Sequence, residues 1–271
     1  MARERIGCLV HGAVSRDFLE PATASVVHAR LGLAPGCLVF DLSNACLGVL
    51  DGMLVVAGMI ERGEIEAGLV VAGEDGRGLV EQTLATLLAS ASDERALRAE
   101  LKQAFASLTI GSGACAVLLA RAQGGVDSPR LLGATAGAAT EHVELCRGER
   151  TGSAAGPTMS TDSEALLEAG VALAQRTFAR FLRELGWSRA DVERVVTHQV
   201  GSAHRRRLFE KLELDPARDF STFETLGNTG SAALPTALSL ALEAGRIERG
   251  ERVALLGIGS GLHCLMLGAQ W

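Results

Sequence analysis

Three polar residues follow apolar, strand-like segments of the chain: Cys46 in DLSNACLG, His198 in THQVG and Asn228 in GNTGSAALP. A cysteine at a strand-to-helix turn faces the N–H groups and the positive dipole end of the helix, which lower the pKa of a thiol. The small neighbours Asn44 and Ala45 leave room for a substrate to approach. This setting favours a covalent nucleophile over a cysteine that is merely buried.

A thiolate nucleophile also needs a proton partner and donors for a developing oxyanion. His198 stands at the carboxyl end of a predicted strand, where α/β folds keep their sites. The segment GIGSGLHC predicts a tight turn between two strands, and the N–H of Ser260 in it is a candidate oxyanion donor. Asn228 can equally cap a helix, a role that asparagine fills well. Together these features predict nucleophilic catalysis by Cys46.

The composition indicates a globular protein that is not basic. The 271 residues are 48% hydrophobic and 21% charged, which suits one compact unit or two fused lobes and excludes a disordered or fibrous protein. The formal net charge of -6 and the absence of a long basic run argue against nucleic acid as the main partner. The short run Arg205, Arg206 and Arg207 is the best local candidate for a phosphate contact.

The cysteines and the apolar runs predict where the protein works. Six cysteines without CxxC spacing favour free thiols in a reducing compartment, so we expect a cytoplasmic protein. No uninterrupted apolar stretch reaches about 18 residues, so we expect no membrane insertion. His263 and Cys264 point to opposite faces of a predicted strand and make poor joint ligands. We therefore expect neither a metal nor a cofactor.

Short runs rich in Val, Leu and Ile alternate with longer helical patterns, which predicts an α/β fold with buried sheets. The predicted strands are 6–11, 37–42, 67–72, 114–120, 130–134, 192–197, 253–257 and 262–268. The predicted helices are 22–32, 46–62, 79–103, 162–185, 202–213 and 231–245. The amphipathic, charged helix 79–103 is either a cap over a substrate channel or a plain surface hairpin.

An internal repeat predicts a duplicated architecture. The pentapeptide IERGE occurs at residues 60–64 and again at 247–251, each time between a small-residue-rich helix and an apolar strand. Matching surroundings make coincidence an unattractive explanation. We therefore predict two similar lobes, an N-terminal lobe of residues 1–125 and a C-terminal lobe of residues 126–271.

Aligning the two copies places Cys46 and Asn228 at equivalent helix starts that face one central cleft, with His198 ending a strand nearby. The second copy opens with a strand near residue 130 and a helix at 162–185, whereas the first copy begins directly at its next strand. We therefore expect the first lobe to lack its opening strand and helix.

In their order along the chain, NACLG, THQVG, GNTGSAALP and GIGSG resemble the motifs of the thiolase superfamily, specifically the β-ketoacyl-acyl-carrier-protein synthase III group with its Cys-His-Asn triad. The resemblance covers nearly the whole chain and implies a thiolase-like duplicated fold. It implies that Cys46 is the acyl-accepting nucleophile, and that His198 and Asn228 stabilise an enolate and assist proton movement. It also implies an oxyanion hole formed by the N–H groups of Cys46 and Ser260.

Within this group the chain most resembles the acyl-CoA condensing enzymes of long-chain olefin (head-to-head hydrocarbon) biosynthesis, through SRDFLEPATASVVH, FASLTIGSGA, FSTFETLGNTGS and LLGIGSGLHCLMLG. The resemblance implies a homodimer in which Glu20 reaches into the partner subunit's site and acts as a base. Joining two fatty acyl thioesters without loss of CO2 requires removal of a weakly acidic proton, so a positioned carboxylate is a chemical requirement. Taken alone, Glu20 before Pro21 also suits the start of a helix.

Two departures from ordinary synthase III enzymes bear on the substrate. Residues 111–114 read GSGA where those enzymes commonly have GDGA, and a basic residue that they use to dock the carrier protein falls on Ala203. The charges lie instead at residues 204–207. A coenzyme A phosphate is therefore at least as good a partner for this patch as acyl carrier protein.

Three alternatives remain open from the sequence. The first is a decarboxylative synthase III that uses malonyl thioester in fatty acid or polyketide biosynthesis. The second is a cysteine hydrolase, because Cys, His and Asn occur in the same order in papain-like proteases. The third is an inactive partner that keeps only the fold and the dimer surface.

Overall fold

The computed structural model describes residues 2–90, 94–122, 128–150 and 157–271. The strands are β1 (Ile6–His11), β2 (Leu38–Asp41), β3 (Ala67–Glu74), β4 (Gly113–Ala120), β5 (Arg130–Ala138), β6 (Cys146–Arg150), β7 (Pro157–Thr161), β8 (Arg194–Thr197), β9 (Arg252–Gly259) and β10 (His263–Gln270). The helices are α1 (Thr23–Leu31), α2 (Gly48–Glu61), α3 (Arg77–Ser90), α4 (Glu94–Leu108), α5 (Ser163–Leu185), α6 (Ser202–Leu212), α7 (Phe223–Leu226) and α8 (Ala233–Glu243).

The first sheet has the strand order β2-β1-β3-β4. The central strand β1 is parallel to both neighbours, with Val10 opposite Phe40 on one side and Val70 on the other. Strand β4 is antiparallel to β3. The last residue of β3, Glu74, lies opposite the first residue of β4, Gly113. The carboxyl ends of the three parallel strands therefore meet at one edge of the sheet.

The second sheet, β5-β10-β9-β8, repeats this topology. Strands β8 and β9 are parallel, and β9 and β10 form an antiparallel hairpin. The last residue of β9, Gly259, lies opposite the first residue of β10, His263, just as the end of β3 lies opposite the start of β4 in the first sheet. A parallel bridge between Val195 and Asp219 continues the second sheet where β2 lies in the first. The shared order and register confirm the duplicated α/β fold.

Strand β5 and helix α5 have no counterparts beside the first sheet among the described residues. Strand β5 pairs along β10, and α5 packs on both with Phe178 and Phe181 buried. In the first sheet β4 is an edge strand whose alternate residues, such as Leu118, are exposed. The first lobe thus lacks an opening strand and helix in the described part, as the sequence predicts. The predicted boundary between residues 125 and 126 lies outside the described residues and stays a prediction.

Three apolar clusters hold the layers together. The largest lies between the two sheets around α2 and α8, and includes Val56 and Ala237. A second packs α5 and α6 on the outer face of the second sheet, and a third packs α1 on the outer face of the first. Helix α2 is apolar on nearly all sides; half of its residues are buried in the central layer, whereas Leu54 and Val55 are exposed. No helix in the described part of the chain is long and apolar enough to cross a membrane.

Two of the differences from the predicted elements lie next to each other in the structure. The predicted helix 79–103 is divided into α3 and α4, and residues 91–93 between them lie outside the described residues. The hairpin of β6 and β7 was not predicted, because its sequence is polar and lacks the alternation of a half-buried strand. The Ser107 hydroxyl in α4 donates a 3.5 Å hydrogen bond to the Met159 carbonyl in β7, so the two unexpected features pack on each other.

Candidate active site

Cys46 lies in the sharp turn between β2 and α2. Ala45 has a φ of +47°, in the left-handed region that a residue with a side chain seldom occupies. The Asn44 side chain donates a 2.6 Å hydrogen bond from Nδ2 to Oδ2 of Asp51 in the first turn of α2. The turn is therefore tied to the helix that follows it.

Two close backbone approaches seat this turn against both sheets. Gly48, the first residue of α2, lies so close to Gly12 that a Cβ on either residue would collide with the other's carbonyl. A Cβ on Gly259, the last residue of β9, would lie 3.5 Å from the backbone N of Cys46. Ser260 follows directly, so the structure brings together the two residues predicted to form the oxyanion hole.

The surroundings of Cys46 raise the pKa of its thiol to about 12, opposite to the direction predicted from the helix N-terminus. Burial is the largest cause, because it disfavours the thiolate. The charges of Glu74 and Cys146 raise the pKa further, and a hydrogen bond from the residue's own backbone opposes them. The prediction of a lowered thiol pKa is wrong. A thiol that is neutral at neutral pH must lose its proton as it attacks, so the site requires a nearby base.

His198 follows β8 and is only 4% exposed. Its backbone N–H donates a 3.0 Å hydrogen bond to the Leu256 carbonyl, which fixes it at the carboxyl end of β8 beside β9. Burial, and next the neighbouring His204, lower the pKa of His198 to about 3. At neutral pH the imidazole is therefore uncharged, with one N–H donor and one acceptor nitrogen. Such a ring can accept a proton from a thiol and can donate to a carbonyl or enolate oxygen.

Asn228 is held by the first lobe. Its backbone N–H donates to the Thr109 carbonyl and its carbonyl accepts from the Gly111 N–H, both at 2.9 Å. Its Oδ1 accepts a 3.0 Å hydrogen bond from the Gly230 N–H, which leaves the Nδ2 donors for a ligand. A Cβ on Gly111 would collide with the Leu226 carbonyl, so the glycine of GSGA is required here. Asn228 is thus a fixed donor as well as part of a turn.

The predicted base Glu20 lies on the surface of its own chain. Glu20 is exposed on the loop of residues 12–22, next to Leu19, which is 90% exposed. It makes no hydrogen bond or ion pair with any residue that the structure describes. Within its own chain Glu20 therefore has no polar partner among the described residues. Its predicted role in a partner subunit's site stays a prediction.

The three arginines of the predicted phosphate contact have different surroundings. Arg205 donates from Nε to Oδ2 of Asp219 at 2.6 Å and is largely engaged within the chain. Arg207 pairs with Glu168 and Glu210, both at 3.3 Å. Arg206 is exposed and has no such partner among the described residues. A phosphate contact by this patch stays a prediction that rests mainly on Arg206.

Sequence reasoning did not single out Glu74, the buried acid whose charge acts on Cys46. The signal was present, since LVVAGE ends an apolar strand with a carboxylate.

No group of three or more His, Cys, Asp or Glu side chains within the described ranges is placed to hold a metal ion.

Comparison with known proteins identifies the family. Residues 182–271 match the family model 3-Oxoacyl-[acyl-carrier-protein (ACP)] synthase III C terminal. Over 268 residues the chain is 42% identical to the acyl-CoA:acyl-CoA alkyltransferase of Xanthomonas campestris, an alignment that covers 99% of this chain and 76% of that protein. The chain belongs to the synthase III family of the thiolase superfamily.

Other members of the synthase III family agree in fold and differ in likeness. The β-ketoacyl-[acyl-carrier-protein] synthase III of Pseudomonas aeruginosa is 30% identical over 99% of this chain and 77% of its own length. A crystal structure of Xanthomonas campestris OleA with bound lauric acid and lauroyl-CoA superposes with a TM-score of 0.90 at 40% identity, covering 100% of this chain and 77% of that one. The chain spans about three quarters of the length of these relatives. As a family of acyltransferases, the synthase III enzymes fit the Cys46 geometry.

Proposed function

We propose that this protein joins two fatty acyl-CoA molecules by a Claisen condensation without decarboxylation, through an acyl-Cys46 intermediate. The observation that carries the proposal is the nucleophile turn with His198 and Asn228 in a chain 42% identical to a named acyl-CoA:acyl-CoA alkyltransferase. Identity to the named synthase III enzyme is lower, at 30%. The products are a β-ketoacyl-CoA and free coenzyme A, and no cofactor is needed beyond the thioester substrates.

In the first half-reaction the Cys46 sulfur attacks the thioester carbonyl of the first acyl-CoA. His198, which is uncharged at neutral pH, accepts the thiol proton as the sulfur attacks and returns it to the departing coenzyme A sulfur. The N–H groups of Cys46 and Ser260 stabilise the oxyanion of the tetrahedral intermediate. The sulfur–acyl bond on Cys46 replaces the bond to coenzyme A, and no electrons are exchanged with another reagent.

In the second half-reaction the partner subunit's Glu20 removes an α-proton from the second acyl-CoA. Donors on His198 and Asn228 stabilise the enolate oxygen, and the enolate carbon attacks the acyl-Cys46 carbonyl. That attack forms the carbon–carbon bond, and collapse of the tetrahedral intermediate breaks the bond to the Cys46 sulfur. The sulfur is protonated by the proton that Glu20 removed from the α-carbon, which returns Glu20 to its carboxylate form. All carbon atoms of both acyl chains are retained.

This proposal includes a homodimer, because the exposed Glu20 loop serves the partner's site. Arg206 is proposed to contact a coenzyme A phosphate, which its exposure and lack of a carboxylate partner among the described residues support. We also propose that the protein works in the cytoplasm, in lipid metabolism that leads to olefinic hydrocarbons, since free thiols are maintained there.

The test is acylation of the intact protein by lauroyl-CoA. Mass spectrometry of the Cys46 peptide should show one added lauroyl group, and the Cys46→Ala variant should show none. Cys115→Ala is the matched control, because Cys115 is another half-buried thiol with a pKa raised to about 12. It should acylate like the unaltered protein. Lauroylation at another cysteine, or none while Cys46 is reduced, would refute the proposal.

A second candidate function is decarboxylative condensation with malonyl thioester, which the synthase III family model favours. Release of CO2 from malonyl-CoA or malonyl carrier protein during turnover would establish it. Release of free fatty acid with no β-keto product would instead favour a hydrolase, and an absence of acylation would favour a non-catalytic partner.

A further inference from the structure

Glu74 links two functional segments from different parts of the chain. It is the last residue of β3 and is 9% exposed. Its carboxylate accepts hydrogen bonds from the N–H groups of Val14 and Ser15, both at 3.0 Å. It also accepts from the N–H of Ser231 at 3.1 Å and from the Ser231 hydroxyl at 2.7 Å. Three of these four donors bond to Oε1 and the Ser15 N–H bonds to Oε2, so the carboxylate holds both segments at once.

One side of this clamp sets the Asn228 side chain. Gly230 has a φ of +56°, and a Cβ there would lie 2.8 Å from Oε1 of Glu74, so the turn fits closely around the carboxylate. The N–H of the same glycine donates to Oδ1 of Asn228. Glu74 therefore holds the Gly230–Ser231 turn, and this turn holds the Asn228 amide through the Gly230 N–H.

The other side of the clamp holds the loop of residues 12–22 that carries Glu20. Besides the bonds from Val14 and Ser15, the Ser15 hydroxyl accepts a 3.0 Å hydrogen bond from the N–H of Asp75, the residue after Glu74. The root of the loop is therefore fixed to the end of β3. Its outer part remains exposed, including Phe18 and Leu19.

The charge of Glu74 also reaches the nucleophile. After burial, the charge of Glu74 is the largest cause of the raised pKa of Cys46. The same carboxylate raises the pKa of Cys115 on the adjacent strand β4.

We propose that Glu74 is a positioning residue that fixes the Asn228 amide relative to the Glu20 loop. Its role in the enolate step rests on the function proposed above. The effect of the Glu74 charge on the free Cys46 thiol does not, so the two effects have separate tests.

The first test measures alkylation of Cys46 by iodoacetamide across a range of pH, read from the mass of its peptide. Glu74→Gln removes the charge at nearly constant volume, so alkylation at pH 8 should rise severalfold, because a cause that raises the thiol pKa is lost. Glu74→Asp keeps the charge and shortens the reach, so its profile should stay within about twofold of the unaltered protein. An unchanged profile in Glu74→Gln would overturn the electrostatic role.

The second test compares acylation by lauroyl-CoA with formation of the β-keto product. Both Glu74 variants should lose at least about tenfold more condensation than acylation, since Asn228 acts on the enolate. Equal loss in both half-reactions would show a merely structural role. If thermal unfolding shows that neither variant folds, Ser231→Ala replaces them, because it removes one hydroxyl bond and keeps the charge. It should give the same split with an unchanged thiol profile, and equal losses would again overturn the proposal.

If the unaltered protein is not acylated, the proposed function fails, while the alkylation comparison still decides whether Glu74 controls the thiol.

Discussion

The neighbouring imidazoles of His198 and His204 are both kept neutral by the fold. Burial lowers the pKa of His204 to about 4, and His198, lowered to about 3, is affected by His204 as well as by burial. Nδ1 of His198 and Nε2 of His204 are buried without a hydrogen-bond partner in the described chain. Both folded-state pKa values lie below the unfolded value of about 6.5, so the unfolded chain binds more protons between those limits. Stability is therefore lost as the pH falls from about 6.5 towards 4.

His204→Gln should weaken this acid sensitivity. Each histidine contributes a slope of up to about 1.4 kcal/mol per pH unit below pH 6.5, so the variant should lose about half of the histidine-dependent slope. Urea unfolding at pH 7, 6, 5 and 4.5 measures it. An identical slope in both proteins would show that His204 is not kept neutral by the fold.

At this scale the sequence predicts candidate reactive residues but not their protonation. The type and position of Cys46, His198 and Asn228 follow from the local strand-to-helix pattern. The thiol pKa does not, because the charge of Glu74 arrives from β3 and the burial arises from both lobes. The helix N-terminus alone gave the wrong direction.

At the scale of elements, the approach of α2 to β1 places the nucleophile. The helix starts at Gly48 with its backbone against Gly12, and this contact holds the Cys46 turn close to the end of β1. The apolar pattern predicted this helix, and its start two residues after Cys46 is an ordinary boundary difference. The pattern could not show that both glycines are needed, since the contact joins residues far apart in sequence.

Gly48→Ala should destabilise the protein by about 2 kcal/mol or more and impair acylation, because the added Cβ forces α2 away from β1. Gly58→Ala is a matched control on the same helix. Its Cβ would meet only the far end of the Arg62 side chain, at 3.3 Å, and alanine favours a helix by about 1 kcal/mol. The control should be neutral or stabilising in urea unfolding, with normal acylation. Similar behaviour of the two variants would contradict the close packing.

At the scale of the whole molecule, duplication was predictable and the added pieces were not. The IERGE repeat correctly indicated two sheets of one topology. Residues 75–112, which hold α3 and α4, replace the short turn 260–262 of the second hairpin, and no internal comparison could position them. The site likewise combines both lobes, with Asn228 held by Thr109 and Gly111.

The exposed Glu20 loop predicts complementation between two inactive variants. Cys46→Ser and Glu20→Gln should each lose condensation by at least about a hundredfold when assayed alone. Mixed by unfolding and refolding together, they should recover about a quarter of the normal rate, since half of the dimers are mixed and each carries one complete site. Recovery no greater than either variant alone would show that Glu20 does not serve the partner's site.

Condensation with a single substrate tests the central claim most directly. The protein is supplied with uniformly labelled lauroyl-CoA and no malonyl thioester, and the products are analysed by mass spectrometry. We predict a β-keto product that contains every carbon of two lauroyl groups, with no labelled CO2 released. Formation of lauric acid alone, or of a β-keto product only after malonyl thioester is added, would contradict it.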